Sequence, residues 1–195
     1  MISSTQHWKK WARLKKDKNF KKALEYFPKF LRYERAMIEH LSQHPNDYVG
    51  AMRRIPRTLQ LLFIHAYQAK LFNEELKKRK VYKAMKNEFY CDADNLGFPS
   101  LKKIKGSEKK AREGKAFVVG NIIGSETKLN RIEEKILKKE KIKKDDFNLK
   151  SMPELSSRGG LRALTMPVRI KKTDGRIQFS LPPGSYATTV LKFLK

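Results

Sequence analysis

The chain has 195 residues, with 45 Lys and Arg against 20 Asp and Glu for a formal net charge of +25. Its single cysteine, Cys91, excludes an internal disulfide and a cysteine-built zinc cage, and no segment approaches the roughly 20 apolar residues of a membrane span. The excess charge is spread as +9, +10 and +6 over residues 1–60, 61–150 and 151–195. This excludes a merely basic tail and points to a phosphate-bearing nucleic acid as partner.

Residues 4–43 predict helices. Trp8, Trp11, Ala12 and Leu14 recur at helical spacing, and Phe20, Leu24 and Phe27 continue on a second short helix that Pro28 ends. A third runs over about 30–44 with Leu31, Met37, Ile38 and Leu41 on its apolar face, until Pro45-Asn46-Asp47 breaks it. Pro56 sits where a first-turn proline belongs, opening a helix over 58–79. Over 59–66 that helix is apolar nearly all round, which predicts burial and makes it the core helix of the chain. Lys77, Lys78, Arg79 and Lys80 fall in its last turn, where cations complement the helix dipole.

Residues 88–115, rich in polar residues and of little periodicity, read as a long surface excursion. Phe117-Val118-Val119 reads as a buried strand, and Ser125 is placed to cap a helix with Leu129, Ile132, Ile136 and Leu137 on its apolar face. A loop over 151–160 leads to a strand over 161–168, a hairpin through Thr173-Asp174-Gly175, and a last strand over 176–181. Pro182-Pro183-Gly184 then punctuates, and Ser185 is placed to cap a short final helix. Helices first and mixed elements after them give the class α+β.

Three segments carry candidate function. On the apolar helix, His65 and Gln68 share a face while Tyr67 and Asn73 lie elsewhere on it. Polar groups on a buried helix must find partners, so they either satisfy neighbouring loop backbone or hold a substrate-facing loop in place. Ser156-Ser157-Arg158-Gly159-Gly160 is a flexible turn with exposed donors, and Arg158 and Arg162 can each grip a phosphate bidentately. A solvated loop accounts equally well for Arg158. The four histidines do not cluster with carboxylates at ligand spacing, and 120–124 lacks the lysine of a P-loop, so metal hydrolysis and nucleotide hydrolysis are discounted.

The C-terminal string Phe179-Ser180-Leu181-Pro182-Pro183-Gly184-Ser185-Tyr186-Ala187-Thr188-Thr189-Val190 resembles the closing element of the TruD family of tRNA pseudouridine synthases. His65-Ala66-Tyr67-Gln68 through Leu71-Phe72-Asn73 is similar to a helix of the same family, departing from it at Ala69 and Lys70. Gly124-Ser125-Glu126-Thr127-Lys128-Leu129, followed by 151–164, resembles the end of the domain that TruD proteins insert into their core and the re-entry to that core. The resemblance implies a helical part of the catalytic core over 1–80, an inserted TruD-type α/β subdomain over 81–150, and C-terminal strands and helix of the core over 151–195.

It further implies a reaction without cofactor, on tRNA or another structured RNA. From the residues themselves, the lack of an apolar span and of an apolar run near Gln6, His7 and Trp8 gives the expectation of a cytoplasmic protein with no membrane, and the unclustered histidines that of no metal site. Arg158, Arg162, Ser185 and Tyr186 become the expected RNA-binding residues, with His65, Gln68 and Asn73 supporting the active site. The family's aspartate lies in a Gly-x-Lys-Asp-type string and its stacking aromatic in an Asn-x-Phe-Gly-x-Gln-Arg-Phe-Gly string. Neither string occurs here. The chain therefore resembles the C-terminal half of such an enzyme, with no catalytic residue assigned and the N-terminal half as an expected second partner. The alternative is a non-catalytic RNA-binding module on the same fold, with a generic basic nucleic-acid binder a distant third.

Overall fold

The computed structural model describes residues 4–102, 104–181 and 185–194; the side chains of Trp8 and Trp11 and the Pro182-Pro183-Gly184 turn lie outside the described residues. The chain divides into two compact units, one of residues 1–67 and 149–156, the other of 68–148 and 157–195.

The first unit is helical: α1 (Ser4–Asp17), α2 (Phe20–Tyr26), α3 (Arg32–Gln43), α4 (Tyr48–Met52), the first half of α5 (Arg57–Leu76) and a 3₁₀ turn at Pro153–Leu155. Leu14, Ala23, Phe27 and Ile38 form its core, with Phe20, Leu24 and Leu31 packed around them. Asn19 caps α2 by accepting from Lys22 N at 2.9 Å, and Arg35 donates to the carbonyls of Leu24 and Phe27, both at 2.7 Å. Such bonds satisfy polar backbone groups that a helix end leaves without partners.

Asp47, expected as part of a helix break, is also the N-cap of α4. Its carboxylate accepts from Gly50 N at 2.8 Å and meets His40 Nε2 at 2.8 Å. Arg54 Nε donates to His40 Nδ1 at 3.1 Å, so the buried imidazole carries its proton on Nε2 and donates it to Asp47. A Cβ at Gly50 would fall 2.1 Å from Asp47 Oδ2. His40 is thus a structural histidine.

The second unit contains the remainder of α5, β1 (Phe89–Asp92), α6 (Glu108–Arg112), β2 (Ala116–Ile122), α7 (Arg131–Glu140), a 3₁₀ turn at Lys144–Phe147, β3 (Gly160–Ala163), β4 (Ile170–Thr173), β5 (Arg176–Phe179) and α8 (Ala187–Phe193). β1, β2 and β3 form an antiparallel sheet in that order, with Val119 opposite both Phe89 and Ala163. β2 is buried on both faces: Val118 packs with Phe72 and Leu164, while Phe117 and Val119 pack with Cys91. β4 and β5 make a separate hairpin. Asp174 (φ 42°) and Gly175 (φ 74°) supply the two positive φ angles of its two-residue turn.

Mixed helices and small antiparallel sheets make the chain α+β. Several local expectations are corrected. The apolar side chains of 59–66 are not buried: Leu62 is 56% and Phe63 51% exposed, and the side of α5 that is buried carries Gln60, Gln68, Leu71, Phe72 and Glu75. An apolar sequence says what a surface would prefer, not whether a neighbour is there to cover it. α5 stops at Leu76, so Lys77 to Lys80 follow the helix rather than forming its last turn. The 88–115 excursion contains β1 and α6, elements of four and five residues, too short to show a period.

Ser125 does not cap a helix; its N–H and Oγ both donate to Ser157 O, and α7 begins six residues later with Asn130 as N-cap. The strand expected over 161–168 ends at Ala163, before Pro167, which has no N–H to offer a ladder. Ser185 lies outside the final helix, whose N-cap is Tyr186 with no side-chain capping bond.

Candidate nucleic-acid interface

Gln68 joins two of the segments that the sequence singled out. Its buried amide donates to Ile123 O at 2.7 Å and to Ser157 Oγ at 2.8 Å. The loops it holds are also bonded to each other, Ser125 N to Ser157 O at 2.9 Å and Glu126 N to Arg158 O at 3.1 Å. They approach so closely that a Cβ on Gly124 would sit 2.1 Å from Gly159 N. Gly159, at φ +97°, has Thr127 Oγ1 and Ile122 O within 2.7 Å of where its own Cβ would be. Only glycine fits either position. Gln68 therefore satisfies loop backbone and, in doing so, fixes the 157–160 turn.

Arg158 leaves this clamp by its side chain. Its carbonyl is bound, but the side chain is 85% exposed, with Glu126 Oε1 3.5 Å from its Nε. An ion pair that exposed contributes about 0–1 kcal/mol and leaves the guanidinium free to exchange partners. It borders a shallow cleft of ≈ 470 Å³ together with Lys128, Asn121 and Leu161.

Arg162 behaves differently. It stands opposite Gly120 on β3, half-buried, with its guanidinium 5.4 Å from the centre of the buried Phe72 ring. Leu161, its neighbour on the strand, is 48% exposed on the other face. Tyr186 is 69% exposed at the start of α8 and Ser185 is half-buried beside it. His65 and Asn73 are both exposed on α5, so of the three expected supports only Gln68 reaches the clamp.

Six of the seven aspartates are engaged in local structure. Asp17 pairs with Arg13, Asp92 with Lys110, and Asp47 caps α4. Asp94 accepts from the amides of Leu96 and Phe98, Asp146 from that of Lys143, and Asp174 shapes the hairpin turn. Among the described residues no group of three His, Cys, Asp or Glu is arranged to hold a metal ion. No described helix is long and apolar enough to cross a membrane.

Beside the clamp lies a buried polar cluster that sequence reading missed. Arg79 Nη1 donates to Glu75 Oε1 at 2.7 Å and to Glu88, and Arg79 Nη2 to Lys83 O at 2.8 Å. Asn130 Nδ2 donates to Glu75 at 2.9 Å and to Glu88 at 3.2 Å, while Asn130 N and Asn121 Nδ2 donate to Glu133 Oε2. The side chains of Arg79, Glu75 and Glu88 are at most 2% exposed, and Glu133 is wholly buried. Arg79 pairs with Glu75 and Glu88, and Glu133, held by Asn130 and Asn121, adds a third buried carboxyl to the cluster, so the three cannot all ionise cheaply.

Burial, then the charges of Glu75 and Glu88, push the Glu133 carboxyl up to about 7 against the opposing hydrogen bonds from Asn130 and Asn121. Burial opposes the charge of Arg79, but Glu88 and then Glu75 outweigh it and hold the guanidinium more firmly protonated than usual. One signal was legible: Asn130 followed three residues later by Glu133 is a capping box, and both of its bonds are present.

The model of the family described as tRNA pseudouridine synthase D (TruD) matches residues 2–194. The chain belongs to the TruD family. It is 37% identical over 186 residues to a probable tRNA pseudouridine synthase D of Methanopyrus kandleri, covering 90% of this chain and 42% of that protein. A protein of the same name from Thermococcus sibiricus is 34% identical, with 88% and 46% covered. A crystal structure assigned to TruD from Methanosarcina mazei superposes with a TM-score of 0.80 at 29% identity, over 94% of this chain and 49% of that one. The chain thus spans about half the length of the curated relatives it matches. The clamp joins the helix and the two loops whose sequences resembled the family.

Proposed function

We propose that this chain is the RNA-binding, C-terminal portion of a TruD-type tRNA pseudouridine synthase, and that it isomerises uridine only when joined by the complementary half. The family match over residues 2–194, in a chain half the length of its relatives, carries this reading. The residues themselves support it. The net charge of +25 favours a polyanion, and Arg158 stands on a rigid turn with its guanidinium in solvent. No aspartate lies in a string of the catalytic type. Positioning and electrostatics cannot replace the group that attacks the sugar or the base.

In this reading, 81–150 is the inserted subdomain, tRNA is met in the cytoplasm, and Arg158, Arg162, Ser185 and Tyr186 face the RNA. The exposed apolar side chains Leu62 and Phe63 on α5 give the complementary half an apolar surface to cover. The test is pseudouridine-specific chemical mapping of tRNA incubated with this chain, with and without the N-terminal half of a TruD relative supplied in trans. The chain alone is expected to leave every uridine unchanged, and the mixture to modify one. Robust modification by the chain alone would overturn the division of labour. Failure of the mixture, despite demonstrated association of the halves, would favour a non-catalytic RNA-binding module.

A further inference from the structure

We propose a second RNA contact in this chain: a cationic cleft, formed by the loop after α5 and the first turn of α7, that takes a run of backbone phosphates. The inference rests on the tRNA reading above and names a site that the Arg158 turn does not include. The cleft has a volume of ≈ 810 Å³, within the roughly 300–1,000 Å³ of ligand pockets. Lys78, Lys80, Lys83 and Lys86 stand on one wall and Arg131 on the other, all exposed, with Glu134 the single carboxylate on the lining outside the buried network.

Among the described residues none of these five cations forms an ion pair within 4.0 Å. The other acids that feel them are already engaged: Glu74, near Lys78, is paired with Lys77, and Glu108, near Lys80 and Lys83, is paired with Arg112. Five like charges on a concave surface repel one another and concentrate field in the cleft. A polyanion relieves both.

A solvated lysine-rich loop would be expected to sway; this one is tied from below. Arg79 donates to Lys83 O at 2.8 Å, and Met85 N to Glu88 Oε2 at 2.7 Å. Asn87, in the left-handed region at φ 70°, reaches across to the carbonyls of Lys128 and Leu129 at 3.4 and 3.3 Å, joining the loop to the segment that leads into α7. The buried Glu75–Arg79–Glu88–Asn130 network therefore has a purpose beyond its own satisfaction: it sets the spacing of the cleft walls. Cations mounted on a fixed backbone lose less freedom when they bind, so their contacts give more affinity than the same lysines on a loose tail. Phosphates rather than bases are the ligand, because the lining offers cations and few directional pairs for base edges.

The experiment measures binding of a tRNA transcript to the full 195-residue chain as a function of salt, for three proteins. These are the wild type, the triple variant K83Q/K86Q/R131Q, and a control that removes equal charge from the helical unit, K15Q/K16Q/K21Q. All six positions are exposed, and circular dichroism confirms that each protein is folded. The cleft variant is expected to bind at least tenfold more weakly at physiological salt, with a log K against log salt slope shallower by two to three, about one per lost phosphate contact. The control is expected to change affinity less than threefold.

Equal losses in the two variants overturn the cleft while leaving tRNA binding intact. A wild type that does not bind tRNA overturns the functional reading and the cleft with it. A parallel titration with poly-glutamate separates the two kinds of polyanion. If the cleft substitutions weaken poly-glutamate as much as tRNA, the site is an acidic-chain groove and the RNA assignment falls.

Discussion

The Gln68 clamp and the Arg79 network lie side by side in the second unit, and they are held by opposite means. The clamp is neutral. Two glycines let two loops close to backbone contact, one amide bonds both, and nothing in it titrates. The network is charged: three buried carboxylates, one buried guanidinium and two asparagines, with Arg79 Nε and Glu133 Oε1 still lacking partners. Shape decides the first and charge balance the second. Shape is insensitive to solution conditions, whereas charge balance is not, so the two regions should fail in different ways.

The largest expected break is at Arg79. Arg79→Met removes the cation paired with Glu75 and Glu88 and strands their charges in the interior, which should cost about 4 kcal/mol in chemical denaturation at neutral pH. Part of that loss should return at acidic pH, where the stranded carboxylates can protonate. A loss that is the same at pH 5 and pH 8 would mean that Arg79 acts by packing alone.

Gly124→Ala is the corresponding break in the clamp. The added Cβ meets the Gly159 backbone, which cannot move aside as a side chain can, so a loss of about 3 kcal/mol is expected. Here the loss should be independent of pH. Weakened tRNA binding should accompany it, because the Arg158 turn is the part displaced; unchanged affinity in the folded variant would separate the clamp from RNA.

The finest test compares pH dependence. Glu133 holds its proton more tightly when folded, at about 7 against 4.5 for an ordinary glutamate. Folding therefore takes up a proton between those values. The stability this gives is complete below about 4.5 and is lost as pH rises through about 7, by up to ~3 kcal/mol. Glu133→Gln should flatten that fall and be the more stable protein at pH 8, while differing little at pH 5. Asp47, whose pKa is lowered first by the Gly50 amide and then by His40, acts in the opposite sense and only below its usual range, so it does not confuse the window. Parallel stability–pH curves for wild type and variant would exclude Glu133 as the source.

The clamp was half legible in the sequence. Gln68 on an apolar helix announced polar satisfaction, and Gly159 and Gly160 a turn, but that turn reads as flexible in the sequence, whereas Gln68 and the Gly124–Gly159 contact hold it fixed. The network was almost invisible. Glu75, Arg79 and Glu88 look like members of a charged surface, and the i,i+4 spacing of Glu75 and Arg79 is what an exposed helix shows as readily as a buried one. The apolar run 59–66 misled in the reverse direction.

The amino-acid sequence by itself determined the strongly basic character, the α+β class, the central buried strand, the two-residue hairpin and the family, because these rest on composition, local periodicity and strings of adjacent residues. The tertiary structure alone decided which side of α5 is buried, which histidine is structural, which of Arg158 and Arg162 faces solvent, and that two carboxylates share one buried guanidinium. Those depend on contacts that the sequence does not declare, such as Arg79 with Glu88, 9 positions apart, and Gln68 with Ser157, 89 apart. Burial and charge are properties of the neighbours a residue acquires, and a linear sequence does not name them.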